Sequence, residues 1–248
     1  MDLTPSTVLL RLIFGICCAF MLLGIPLDSR AQQLPLSPDL GPGELRDRMV
    51  REIESAEGIT DERVLGALRA VPRHLFLEED FVSLAYSDTY LPGPGGAVLP
   101  SPSLLASVLA ETRPSRNSSV LIIGENTGYT AALYSQMASR VTCIELRTVL
   151  YERFESLFPE LGYDNITLST STTLPEFIGG APFDHVFVHG AVTELPEEII
   201  AKSTTTGTVV FPLSLPGGFQ ILCVLKRNGS TFSLKSFRAG FFRILGFF

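Results

Sequence analysis

The run "VLIIGENTGYTAALYS", residues 120–135, decides the fold. It opens with four apolar residues, turns through Gly124, Glu125, Asn126, Thr127 and Gly128, and continues into a helical pattern. A short unbroken apolar run that ends in a glycine turn and enters a helix reads as a strand buried on both faces. Such a unit sets backbone N–H groups and the positive end of a helix beside a ligand. Glu145 stands at the end of the next predicted strand. A carboxylate there is placed to accept the ribose hydroxyls of a nucleoside cofactor. A dinucleotide is disfavoured, because a third glycine of the GxGxxG pattern is missing. The plainer alternative is an α/β core with an exposed glutamate.

Working outward, strands and helices alternate. Strands are predicted at 120–124, 141–145, 166–169, 184–188 and 208–213, with helices from about 128, over 148–158 and around 196–202. "QILCVLKRNGSTFSLKSF" closes the pattern as a hairpin with Asn228 and Gly229 in its turn. The expectation is an α/β fold, a Rossmann-like, mainly parallel seven-stranded sheet with helices on both faces. Before the sheet, "ELRDRMVREIES" places Leu45, Met49, Val50 and Ile53 on one helical face. A second helix follows, with Thr60 as its cap, Asp61 and Glu62 in its first turn and Pro72 as its stop. These two form an N-terminal helical cap. The glycine- and proline-rich stretch 84–103 shows no periodicity, and ordered loops of that length inside compact domains tend to be functional.

The chain has 248 residues, 46% of them hydrophobic, which suits one sizeable core. Its net charge of −7 supplies no basic field for phosphate, so nucleic acid is not expected as a partner. Near the start, "LIFGICCAFMLLGI" is followed by Pro26 and the small-residue site "SRA". A run this short suits the core of a secretory signal cleaved after Ala31 better than a bilayer span. That divides the chain into a signal peptide (1–31), a proline-rich linker (32–43) and one domain (44–248), exported to the periplasm or secreted, with no membrane span after cleavage. Cys143 and Cys223 each lie inside an apolar run and read as core residues rather than a disulfide. With three histidines and no CxxC, no metal site is expected. A monomer is expected.

Several segments, in order and spacing, resemble the protein-L-isoaspartate O-methyltransferases. They are "MVREIESAEGITDERVLGALRAVPRHLF", "AYSDTYLPGPGGAVLPSP", "VLIIGENTGYTAAL", "VTCIEL", "LGYDNITL", "APFDHVFVHGA" and "FPLSLPGGFQIL", covering about residues 49–226. The resemblance implies an S-adenosylmethionine-dependent methyltransferase that esterifies the α-carboxyl of isoaspartyl residues in damaged proteins. On it, Gly124, Glu125, Asn126, Gly128, Glu145, Thr172 and Gln220 fall at cofactor positions. Asp88 and Asp184 also match, and both read as structural. His189 ends the fourth strand and reads as scaffold, and His74 and His185 receive no functional reading.

Three matched positions depart from the family pattern. Asn126 replaces the middle glycine of the turn, on the expectation that its side chain projects where the cofactor approaches. Ser171, Thr172 and Thr173 replace a Gly-Asp-Gly whose aspartate accepts from the adenine amine. Pro100 falls on the active-site serine, and proline offers neither a hydroxyl nor an N–H. Ser101, next door, is the remaining candidate for that contact. Two functions fit this pattern: an exported isoaspartyl methyltransferase, and a non-catalytic secreted binding module on the same fold. The departures favour weakened or lost activity.

Overall fold

The computed structural model describes residues 40–170 and 182–238. Helix α1 (Pro42–Glu57) begins two residues before the predicted start, because Pro42 is suited to a first helical position and the Glu44 carboxylate accepts from the Gly41 N–H at 3.1 Å. Helix α2 (Glu62–Ala70) is capped by Asp61 rather than Thr60. The Asp61 carboxylate accepts from the Arg63 N–H at 3.0 Å, and it also binds that residue's guanidinium. Two short 3₁₀ turns, Arg73–Phe76 and Glu79–Leu84, lead into a small hairpin of β1 (Leu91–Gly93) and β2 (Ala97–Leu99). The sequence pattern gave no sign of this hairpin. Each strand is three residues long, too short to display a period of two.

Helix α3 (Pro102–Thr112) is followed by β3 (Ser119–Ile123), α4 (Tyr129–Ser135), β4 (Arg140–Glu145), α5 (Thr148–Glu160) and β5 (Ile166–Thr170). Then come β6 (Phe183–Val188), α6 (Glu197–Ala201), β7 (Ser203–Ser214), β8 (Gln220–Asn228) and β9 (Thr231–Arg238). The seven strands after the hairpin form one sheet in the order β5-β4-β3-β6-β7-β8-β9. All pairings from β5 to β7 are parallel, and β8 and β9 add on antiparallel with Gly229 in their turn at φ 61°.

Side chains alternate across the sheet and divide the core in two. Val120, Ile122, Val141 and Cys143 face a layer built from α1 to α5. Leu121, Ile123, Ile144 and Cys223 face the opposite layer, which includes α6. The two cysteines therefore lie on opposite faces of the sheet, and both are free thiols. Strand β3 is buried along its whole length, as the apolar run required. The chain runs from β3 to β4 on one side and pairs β3 with β6 on the other, so the direction of strand order reverses there. The crevice outside the carboxyl ends of β3 and β6 is where such sheets hold ligands.

Polar side chains fix this frame. The Asp184 carboxylate on β6 accepts from the N–H and hydroxyl of Ser119 at 2.8 and 3.0 Å, locking β6 to the start of β3. Asp88 accepts from the Ser103 N–H at 2.9 Å and so caps α3 from a distance. His74 lies 2.7 Å from the Tyr86 hydroxyl, and His185 lies 2.7 Å from that of Thr208. All four are structural, as the sequence suggested for the two aspartates.

Burial lowers the His185 pKa to about 4 from the ordinary histidine value. Between that value and about 6.5 the unfolded chain binds more protons than the folded one, so stability rises with pH across the window and is lost as pH falls through it. Relative to pH 8, His185 is expected to cost about 2 kcal/mol of unfolding free energy at pH 5. Urea unfolding at the two pH values checks this, and His185→Gln should remove most of the difference.

Candidate active site

The turn after β3 bends through two glycines, Gly124 at φ 69° and Gly128 at φ 89°. Asn126 between them keeps an ordinary backbone angle, since Arg113 is the only non-glycine residue with positive φ among the described residues. The turn therefore needs no left-handed asparagine. Gly128 is required twice over. Besides its positive φ, a Cβ there would lie 3.2 Å from Phe158 and Phe76 and 3.3 Å from Phe154, the rings that seat the start of α4.

Glu125 is fully buried and turns back under its own loop. One carboxylate oxygen accepts from the N–H groups of Gly128 and Thr127 at 2.9 and 3.3 Å, and the other from that of Ala131 at 3.1 Å. The second oxygen also lies 3.5 Å from Nε2 of His189, itself fully buried at the end of β6. Burial acts to raise the Glu125 pKa, but the neighbouring His189 and the backbone donors outweigh it and hold the carboxyl below the usual range. The Glu125 side chain thus serves the loop from beneath.

Asn126 is held by a contact of its own. Its Oδ1 accepts from Nη2 of Arg147 at 2.8 Å, so the side chain is held sideways by β4's successor residues instead of standing free in the cleft. The same guanidinium donates through Nε to Glu145 Oε1 at 3.0 Å, and that oxygen also accepts from the N–H groups of Leu146 and Arg147 at 3.0 and 2.9 Å. Oε2 of Glu145 is buried and has no hydrogen-bond partner among the described residues. Burial pushes this carboxyl up, and Arg147 offsets part of the rise. A buried carboxylate oxygen left unpaired costs about 1–3 kcal/mol, and a ribose hydroxyl donating to it would recover that. The residues present fit a nucleoside.

The β1–β2 hairpin lies against the loop. A Cβ on Gly93 would stand 2.6 Å from Cγ2 of Thr127, so the hairpin approaches as only glycine allows. Arg73 is fully buried behind the loop, with its guanidinium 5.1 Å from the Tyr129 ring centroid and Nη2 donating to the Thr89 carbonyl at 3.2 Å. It joins the chain before the hairpin to the start of α4. Pro100 is buried between β2 and α3, and Ser101 occupies the cap position of α3. Asp88 supplies the cap, and the Ser101 hydroxyl lies 3.4 Å from that of Ser103. Gln220 opens β8 opposite Ser214. Thr172 lies outside the described residues.

The structure therefore gathers Gly124, Glu125, Asn126, Gly128 and Glu145 at the carboxyl end of β3 and β4. Sequence reasoning missed Arg147, which links two of these residues, Asn126 and Glu145, and the pairing of Glu125 with His189. A basic residue two positions after the acid gave no signal by itself. His189 had one available: the strand order puts the ends of β3 and β6 side by side, and each residue occupies one of those ends.

A parallel sheet with a glycine turn at its reversal point and a ribose-reaching acid on the next strand defines the Rossmann-like methyltransferase class. The family model for protein-L-isoaspartate(D-aspartate) O-methyltransferase matches residues 44–243. A Shewanella sediminis protein-L-isoaspartate O-methyltransferase 2 is 34% identical, over 75% of this chain and 77% of that protein. One from a Roseiflexus species is 36% identical, over 70% and 79% respectively. Among solved structures, a protein-L-isoaspartate O-methyltransferase aligns with TM-score 0.70 at 24% identity, over 81% of this chain and 66% of that one. A Plasmodium falciparum structure in complex with S-adenosyl-L-homocysteine aligns with TM-score 0.67 at 18% identity, over 81% and 97%. At such identities these two support the fold alone. The chain belongs to the protein-L-isoaspartate(D-aspartate) O-methyltransferase family, and S-adenosylmethionine is its cofactor.

Gly128→Ala tests the turn. The strained backbone angle and the three phenyl contacts together should cost about 2–4 kcal/mol of unfolding free energy. Urea denaturation would register this, and a change below about 0.5 kcal/mol would contradict the tight seat described.

Proposed function

We propose that the protein is an exported S-adenosylmethionine-dependent methyltransferase that esterifies the α-carboxyl of L-isoaspartyl residues in proteins. The observation that carries this reading is the Glu145 carboxylate, saturated on one oxygen and open on the other. Family membership supports the acceptor, since the curated relatives act under that name. Export rests on the apolar run and small-residue site before Gln32.

When bound, S-adenosylmethionine supplies a methyl group on a positively charged sulfur, which a carboxylate oxygen attacks without help from a base. The methyl would pass to that oxygen as the S–C bond breaks, its electron pair staying on a neutral thioether. The protein's work is alignment. Glu145 Oε2 would receive a ribose hydroxyl, the Gly124–Gly128 turn would give the backbone close approach, and Arg147 keeps both Glu145 and Asn126 in place. Pro100 contributes no donor to the acceptor carboxylate, so methyl transfer is slow relative to a chain with a hydroxyl there. That same proline favours a second reading, a binding module that keeps the cleft and lacks turnover.

Calorimetry of the chain from Gln32 onward with S-adenosylhomocysteine separates the two. The enzyme reading expects binding at about micromolar Kd, weakened about 10- to 100-fold in Glu145→Ala. It also expects methylation of an isoaspartyl peptide but not of its aspartyl twin, with kcat/KM raised about tenfold by Pro100→Ser. Absence of heat to millimolar ligand would sink it. Binding without transfer, in wild type and Pro100→Ser alike, would establish the module.

A further inference from the structure

His189 and Glu125 form a buried acid–imidazole pair at the one place in the sheet where a ligand is expected. Both have zero exposure, and they stand at the ends of adjacent parallel strands, on either side of the reversal point. The His189 backbone N–H donates to the Ile123 carbonyl at 2.9 Å, which fixes the end of β6 against β3. Its ring stacks on Phe187 at 4.6 Å between centroids, so the plane of the imidazole is also fixed. Nε2 faces Oε2 of Glu125 at 3.5 Å, too far for a good hydrogen bond, and neither ring nitrogen has a hydrogen-bond partner among the described residues. A buried polar nitrogen without a partner in so constrained a ring calls for a group from outside the chain.

The chemistry of the pair selects that group. With its proton on Nε2, the ring nitrogen that faces the Glu125 carboxylate, the imidazole keeps a lone pair on Nδ1. The open position then accepts a hydrogen bond, and the negative charge behind it favours a cation. A ligand carboxylate in the same place would set two carboxylates about a single imidazole. Arg147 does not compensate, because Glu145 and Asn126 occupy its guanidinium. On the proposed reading, the cofactor's ribose is held at Glu145 and its aminoacyl end brings an α-ammonium group to the crevice.

We propose that His189, backed by Glu125, is the acceptor for the α-ammonium group of the bound cofactor. The Glu125 carboxylate behind the ring supplies the negative charge that offsets the ammonium within the cleft. This assignment rests on the methyltransferase reading and adds to it two residues that bind the aminoacyl end.

The test is calorimetry of wild type, His189→Leu and Glu125→Gln with three probes: S-adenosylhomocysteine, its deaminated analogue, and 5′-methylthioadenosine, which lacks the aminoacyl chain. Thermal melts of each variant accompany it, and His189→Asn stands in if the leucine variant fails to fold. The expected result is a loss of about tenfold in affinity for S-adenosylhomocysteine in His189→Leu with the other two probes unchanged, whereas Glu125→Gln, which also removes an acceptor from the turn, weakens all three probes and S-adenosylhomocysteine most. Equal affinity of wild type and variants for S-adenosylhomocysteine would overturn the assignment and leave His189 as scaffold. An equal loss for all three probes would overturn it too, in favour of a packing role. Failure of wild type to bind S-adenosylhomocysteine would reject the methyltransferase reading itself, and this inference with it.

Discussion

A carboxylate with no exposure to water has to find its hydrogen bonds inside the protein, and Glu125 finds them in the turn it stands on. Three backbone N–H groups, from Thr127, Gly128 and Ala131, converge on it. Those donors lie at the start of α4 and in the turn before it, where no intrahelical acceptor exists for them. The loop is thereby closed from beneath, and its upper surface is left to a ligand. The arrangement also determines what happens to its neighbours. With Glu125 turned inward, Asn126 is the side chain that points outward, and Arg147 takes it up.

Arg147 extends this constraint along the edge of the sheet. Its guanidinium reaches Asn126 on the turn after β3 and Glu145 at the end of β4, and thus couples a side-chain amide of one segment to the carboxylate of the next. The side chain that replaces a glycine at position 126 is therefore held by a contact with a residue far along the chain.

The strands of the large sheet were legible because burial on both faces leaves an unmistakable apolar run, as in Val120 to Ile123, and because helices separate the runs. The N-terminal helices were legible by their stripe, and Met49, Val50 and Ile53 are buried as expected. What the sequence did not reveal are features that require two distant pieces at once. The β1–β2 hairpin is too short to show a period, and it is placed by Gly93 against Thr127. Thr60 and Asp61 are both competent caps, and the choice between them follows from Arg63, which binds Asp61 through its backbone and its side chain. His189 looks like an isolated histidine at a strand end until the order of the strands puts Glu125 next to it.

Pro100 bears on the chemistry in a way these compensations do not reach. It sits between β2 and α3, in a segment whose position is determined from both ends: Gly93 holds the hairpin to Thr127, and Asp88 holds the Ser103 N–H. A proline in such a segment adds rigidity without adding a donor. Ser101 follows it, freed from capping duty by Asp88, with its hydroxyl 3.4 Å from that of Ser103. On the proposed function, a rigid segment with its hydroxyl one residue out of place affects turnover more than binding, and the two halves of the site are under separate control: the turn, Glu145 and Arg147 for the cofactor, the 100–103 segment for the acceptor.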